Sequence, residues 1–125
     1  GSSPEVTASV MKLASTVYDR VEEVDSATRL VIHAAAVFAN NFSNHMVHIA
    51  REIMAEQKVD PGLLDPLLKE TFQKIKAMGT VEGQTGPAVR GDKETMNKHI
   101  ELLKDHPEWE KLYTFISRDI KRSRE

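Results

Sequence analysis

Residues 26–57, SATRLVIHAAAVFANNFSNHMVHIAREIMAEQ, carry the strongest structural signal in this chain. The stretch contains neither glycine nor proline, and its apolar residues occupy almost every face of a helix. Such a pattern is typical of a helix that is surrounded by other helices. Asp25 and Ser26 offer short oxygen-bearing side chains that can cap the first free amides. We therefore predict one long central helix over residues 27–57.

Amphipathic patterns on both sides of this stretch predict four further helices. Apolar residues recur every three or four positions over residues 5–17, and again over residues 63–75 before Gly79, which ends that helix. Asp92 can cap a fourth helix, and Pro107 suits the first turn of a fifth. The sequence thus predicts an all-α fold, a five-helix bundle around one long central helix.

Two segments lack helical periodicity. Residues 18–24 look extended but are short and polar, so we interpret them as a connector. Residues 79–91 contain four glycines and a proline, which excludes one regular helix across them. We predict that residues 79–91 form the one long loop.

Composition limits the classes of protein to consider. With 125 residues, 40% apolar and 29% charged, the chain suits one water-soluble globular domain. A net charge of -2 excludes neither a small ligand nor a protein partner, but it argues against nucleic acid and against a membrane surface. The chain has no cysteine, which fits a cytoplasmic protein, and it has no apolar run of about 18 residues.

A polar stripe runs along the predicted central helix. At about 100° per residue it spans a sector of about 100° and comprises His33, Asn40, Asn41, Asn44 and His48. The other side is apolar and comprises Phe38, Phe42, Met46, Ile49 and Ile53. Asparagine and histidine are poor helix formers that are favourable only when they make specific hydrogen bonds. Either the stripe satisfies its own hydrogen bonds inside the bundle, or it faces a cleft with Arg90 and binds a polar ligand.

A metal site is the third interpretation of this helix. His45, His48 and Glu52 share a neighbouring sector and could offer two nitrogens and a carboxylate. A solvated polar face explains them more simply, so we predict no metal site.

The glycine-rich segment TGPAVRGD, residues 85–92, is the second unusual feature. Its glycines permit unusual backbone shapes, and it precedes a helix start, where Thr85, Gly86 and Arg90 could receive a phosphate or carboxylate. It has neither G-x-G-x-x-G spacing nor a Gly-Lys-Ser/Thr ending. A structural turn in which Arg90 pairs with Asp92 or Glu94 remains the alternative. The last helix ends in basic residues that we interpret as a solvated terminus: Arg118, Lys121, Arg122 and Arg124.

Two strings together resemble a known family. HAAAVFANNF at residues 33–42, followed by TGPAVRGD at residues 85–92 and then by His99, resembles an uncharacterised bacterial family. Its members look like dehydrogenases with an N-terminal Rossmann domain and an α-helical C-terminal domain, related in architecture to ketopantoate reductase, 6-phosphogluconate dehydrogenase and deazaflavin-dependent NADP oxidoreductases. The resemblance covers residues 18–120, roughly. It implies that residues 26–125 are a domain like the C-terminal domain of 6-phosphogluconate dehydrogenase, and that residues 1–25 are a tag remnant followed by the end of an absent Rossmann domain.

The resemblance also implies function. NAD or NADP would bind the absent Rossmann domain, and no cofactor would bind the helical domain. The partners of the helical domain would be a second copy of this chain, its own Rossmann domain and a small-molecule substrate. In the wider superfamily a lysine stands one turn before an asparagine on the central helix, but Ala36 and Val37 stand there in this sequence. His33, one turn further back, is left as the proton donor or acceptor.

The resulting hypothesis is the substrate-side and dimerisation domain of an NAD(P)-dependent oxidoreductase, not catalytic by itself. The predicted site residues are His33 as the catalytic group, with Asn40, Asn41, Asn44, Thr85, Gly86 and Arg90 facing substrate or cofactor. The alternative is a non-catalytic helical module that senses a metabolite or binds a protein.

Overall fold

A computed structural model describes residues 25–125 of this chain. All regular secondary structure in these residues is helical. The all-α prediction is therefore confirmed. The helix predicted at residues 5–17 and the connector predicted at residues 18–24 lie outside the described residues. No helix of residues 25–125 is long and apolar enough to cross a membrane. The described residues divide into two compact units between Arg51 and Glu52.

The predicted central helix is present but is not a continuous α-helix. Helix α1, Ser26–Ala36, begins where the Asp25 carboxylate accepts a hydrogen bond from the Thr28 amide at 2.8 Å. A π-helical segment, Val37–Phe42, follows, and helix α2 then runs over Ser43–Glu56. The predicted cap and end of this stretch are thus confirmed, and the interruption at its middle was not predicted.

The π-helical segment changes which side chains share a face. Its hydrogen bonds span five residues instead of four, so later side chains are rotated by about 100° relative to a straight α-helix. The polar sector predicted for His33 and Asn44 assumed a straight helix. That assumption is wrong across residues 37–42, and His33 and Asn44 do not share the face that it gave them.

The unit Glu52–Glu125 holds the remaining described helices. A 3-10 turn, Pro61–Leu64, comes first. It is followed by four helices: α3 (Asp65–Gly83), α4 (Pro87–Arg90), α5 (Lys93–Leu102) and α6 (Pro107–Arg122). The short helix α4 contacts both α5 and α6. Ala88 of α4 and Leu103 after α5 are buried, so the small core of this unit lies where these three helices meet.

The single loop predicted for residues 79–91 is only partly correct. Gly79 interrupts α3 with φ 83° and ψ 176°, but helical backbone resumes after it and continues to Gly83. A further helical turn, Pro87–Arg90, lies before Gly91. Glycine therefore marks the breaks correctly, whereas the helical turns between the breaks were not predicted.

Gly86 has φ 105° and ψ 172°, a backbone conformation that essentially only glycine adopts. Gly91, at φ 68° and ψ 27°, has the left-handed conformation that asparagine tolerates. We expect Gly86→Ala to lower the free energy of unfolding by about 1–3 kcal/mol, and Gly91→Asn to change it little, in urea unfolding followed by circular dichroism. A Cβ at either position meets no atom within 4 Å, so crowding plays no part. Equal losses in the two variants would contradict this explanation.

Candidate functional site

The polar stripe of the central helix is exposed. The side chains of His33, Asn40, Asn41 and Asn44 lie at the surface of the described chain. None of the four makes a side-chain hydrogen bond to another described residue. The hydrogen bonds that one interpretation predicted among them are therefore not formed within residues 25–125, and their orientation toward a shared pocket remains a prediction. A pocket lined by these side chains needs a further surface to complete it.

The two adjacent asparagines lie within the π-helical segment Val37–Phe42. Such wide turns occur mostly as single interruptions of α-helices, frequently at functional sites. The Ser43 hydroxyl donates a hydrogen bond to the Phe38 carbonyl at 3.4 Å, which satisfies one acceptor of the segment. The pair Asn40-Asn41, two poor helix formers in mid-helix, is the sequence signal that coincides with it. The wide turn gives a second reason to consider this position as a site.

The remaining predicted site residues lie in the other compact unit. Thr85 is exposed just before α4, Gly86 is the N-cap of α4, and Arg90 is its last residue. The Gln84 side-chain amide donates to the Thr85 carbonyl at 3.0 Å. The predicted meeting of Arg90 with the asparagines of the other unit remains a prediction.

The helix start after this segment is already capped by an acidic side chain. The Thr95 hydroxyl donates to Asp92 Oδ2 at 2.7 Å, and the Thr95 amide donates to Oδ1 at 3.2 Å. These hydrogen bonds, and to a smaller extent the charges of Arg90 and Lys98, hold the pKa of the Asp92 carboxyl below its ordinary value. The negative charge of the Asp92 carboxylate repels any second anion that approaches the helix start it caps. Arg90 is therefore the stronger anion-binding group of this segment.

Arg90 forms the ion pair that the alternative interpretation predicted. Its Nη2 lies 3.8 Å from Asp92 Oδ2, and 60% of the arginine side chain is exposed. Exposed pairs of this kind contribute little to stability. The guanidinium can therefore exchange Asp92 for another anion at little cost.

Two histidine contacts were missed by the sequence analysis. His99 Nδ1 lies 2.7 Å from the Tyr113 hydroxyl, which joins α5 to α6. Burial raises the pKa of Tyr113, as does the charge of Asp92 to a smaller extent, so the phenol keeps its proton and can donate it to the ring nitrogen. The two residues are 14 apart in sequence, and no local pattern connects them.

The second contact is made by His106 at the start of α6. Its Nε2 lies 2.9 Å from Glu56 Oε2, and its ring stacks on Trp109 with centroids 3.9 Å apart. His106 and Glu56 are 50 residues apart. The pair ties the end of α2 to the start of α6 and is a structural contact.

The histidines of α2 do not form a metal centre. The rings of His45 and His48 stack with centroids 5.8 Å apart. Within residues 25–125 no group of three histidine, aspartate or glutamate side chains is arranged to hold a metal ion. The interpretation of His45, His48 and Glu52 as ligands therefore has no geometric support.

The apolar side of the central helix is divided between core and surface. Ile49 is buried, whereas Phe38 is 70% exposed and packs edge-on against Phe42, with ring centroids 5.0 Å apart. Leu30 and Val31 of the preceding helix are also exposed. Large exposed apolar side chains grouped along one helix are typical of a surface that binds a partner.

A family model described as a domain of unknown function, DUF2520, matches residues 1–120. The chain belongs to the DUF2520 family. No curated protein matches the sequence of this DUF2520 chain.

The DUF2520 chain is also similar to a solved structure, that of a candidate NADP oxidoreductase from Bacteroides fragilis. The TM-score is 0.77 and the sequence identity is 36%. The match covers 79% of the DUF2520 chain and 38% of the other protein, so this chain spans little more than a third of that length. The resemblance recognised at residues 33–42 and 85–92 is thereby confirmed: this domain is similar to the helical part of an oxidoreductase.

Proposed function

We propose that this DUF2520 chain is the substrate-side and dimerisation domain of a longer NADP-dependent oxidoreductase. The observation that carries the proposal is its similarity, at 36% identity, to part of a candidate NADP oxidoreductase. The part of that protein beyond the matched 38% is long enough to hold a separate dinucleotide-binding domain.

The described residues themselves do not fit a dinucleotide. A Rossmann site places the pyrophosphate at a G-x-G-x-x-G turn between a strand and a helix. Residues 25–125 contain no strand, and the glycines around α4 stand at positions 83, 86 and 91, which is a different spacing. We therefore assign the binding of NADP to another part of the proposed longer protein, and the binding of the substrate to this chain.

Exposed polar side chains of α1, the π-helical segment and α2 supply the substrate contacts in this proposal. His33 exchanges a proton with a polar atom of the substrate, because imidazole can both give and take a proton near neutrality. The amides of Asn40, Asn41 and Asn44 donate and accept hydrogen bonds that fix its orientation. These roles are supported by the exposure of the side chains and by the absence of hydrogen-bond partners for them among the described residues.

The segment before α5 supplies an anion contact. Arg90 is held only by an exposed pair at 3.8 Å and can bind a carboxylate or phosphate of the substrate or cofactor. Thr85 and Gly86 precede α4, of which Arg90 is the last residue, and offer a hydroxyl and a backbone amide.

A second candidate function is a non-catalytic module that binds a small polar metabolite. The observation in its favour is that Ala36 and Val37 stand where the related dehydrogenases carry a lysine. In this case the same asparagines bind a ligand that is not converted.

Titration with NADP by isothermal calorimetry tests the first proposal. We expect the longer protein to bind NADP, and the DUF2520 chain alone to show no heat of binding, because the described residues lack a pyrophosphate cradle. NAD serves as the control for preference between the two cofactors. Failure of the longer protein to bind either dinucleotide would contradict the oxidoreductase and favour the metabolite-binding module.

A further inference from the structure

A groove between α5 and α6 has the composition of a ligand site. Its volume is about 350 Å³, which lies toward the lower end of the range for small-molecule sites. Four of its lining residues offer apolar surface: Ala88, Met96, Ile100 and Tyr113. Such a lining accommodates an apolar body of limited size.

The groove is held in shape by contacts on its inner side. Ala88 is buried where α4 contacts both neighbouring helices. The hydrogen bond between Tyr113 and His99, at 2.7 Å, joins α6 directly to α5. These contacts hold α5 and α6 beside α4 and next to each other.

Three cations and no acidic residue line the groove. They are Lys93, Arg118 and Lys121, and none makes an ion pair or side-chain hydrogen bond with a described residue. By contrast, the neighbouring Arg122 pairs with Asp119 on the same helix. Like charges gathered without counter-charges repel one another, and a bound anion removes that cost. In a chain of net charge -2, this local excess of positive charge is not explained by composition.

Neutral hydrogen-bonding groups line the groove together with the cations. The Thr114 and Ser117 hydroxyls and the Asn97 amide line the groove and make no side-chain hydrogen bond to a described residue. Hydroxyl and amide donors beside a lysine or arginine can complete the shell of a carboxylate or phosphate. The lining of the groove thus combines positive charge, hydrogen-bond donors and apolar surface.

We propose that this groove binds a small organic anion, a carboxylate or phosphate joined to an apolar body. Lys93, Arg118 and Lys121 hold the anionic group, and Met96 and Ile100 contact the body. These residues are separate from the predicted site at His33, the asparagines and Arg90, so the inference goes beyond the proposed function and does not depend on it.

Phenyl phosphate is a suitable probe because it joins a phosphate to an apolar ring. In an amide NMR titration of the chain we expect it to shift the resonances of Asn97, Thr114 and Ser117. Inorganic phosphate lacks the ring and benzyl alcohol lacks the charge, so each is expected to bind at least about fivefold more weakly. Absence of shifts at these residues, or equal affinity for phenyl phosphate and inorganic phosphate, would overturn the proposal.

Paired substitutions on α6 separate the groove from general electrostatic attraction. Arg118→Gln with Lys121→Gln is expected to weaken phenyl phosphate binding by about tenfold. Arg122→Gln with Arg124→Gln removes the same charge from the same end of the chain but outside the groove, and is expected to have less than about a twofold effect. Equal weakening by both pairs would overturn the proposal. Lys93→Gln, on α5, tests the same contact independently if the α6 substitutions reduce helicity.

Discussion

Replacement of His33 by alanine in the proposed longer oxidoreductase is expected to lower kcat by about 10²–10⁴-fold, the usual contribution of a positioned general acid or base. The His33 side chain is exposed on α1 and has no described hydrogen-bond partner, so its loss removes a functional group without removing a structural contact. Steady-state kinetics that resolve kcat from KM measure the effect. The unfolding temperature should be unchanged.

His45→Ala is the matched control for this prediction. His45 is an exposed histidine of the same helical stretch, and its ring stacks on the ring of His48. We expect its kinetics to equal those of the unsubstituted protein. Unchanged kinetics in the His33 variant would contradict the proton-transfer role of His33.

Phe38→Asp is expected to dissociate the homodimer that we propose for this domain. Phe38 is 70% exposed, and its edge contact with Phe42 presents two aromatic rings together on the π-helical segment. Aromatic anchors of this kind commonly cost 2 kcal/mol or more when they are removed, and a two-fold interface counts each one twice. The dissociation constant should therefore rise by about 10³-fold, as measured by sedimentation velocity over a concentration series.

Phe115→Asp provides the control for the dimer. Phe115 lies in α6 and is 75% exposed, so this substitution adds the same charge and removes a comparable apolar surface outside the proposed interface. It should leave the sedimentation coefficient unchanged. Dissociation by both variants would indicate unspecific association, and an unsubstituted chain that is monomeric at all concentrations would refute the dimer.

The helix boundaries could be predicted from sequence because their causes are local. The Asp25 carboxylate caps a helix from three residues away, and so does that of Asp92. Gly79 ends regular helix through its own φ of 83°, and Pro107 begins α6. Each signal acts over one turn or less, so it can be recognised without knowledge of the rest of the chain.

The candidate site could be predicted less completely. The unusual concentration of asparagine and histidine singled out the central helix, and the two family strings indicated an oxidoreductase. Their orientation could not be predicted, because a straight helix was assumed where residues 37–42 adopt a π-helical turn. The exposure of a helix face also depends on which other elements pack against it, and hydrophobic periodicity gives no information about that packing.

The amino-acid sequence by itself thus determined the all-α class, the principal helix starts and breaks, and the family to which this chain belongs. The tertiary structure was needed for the wide turn at Asn40 and Asn41, for the contacts of His99 and His106, and for the groove with its three cations. Hydrogen-bond capping and backbone preference act between near neighbours in sequence. Contacts and grooves join residues whose proximity is created by folding, since the chain must first bring α5 beside α6.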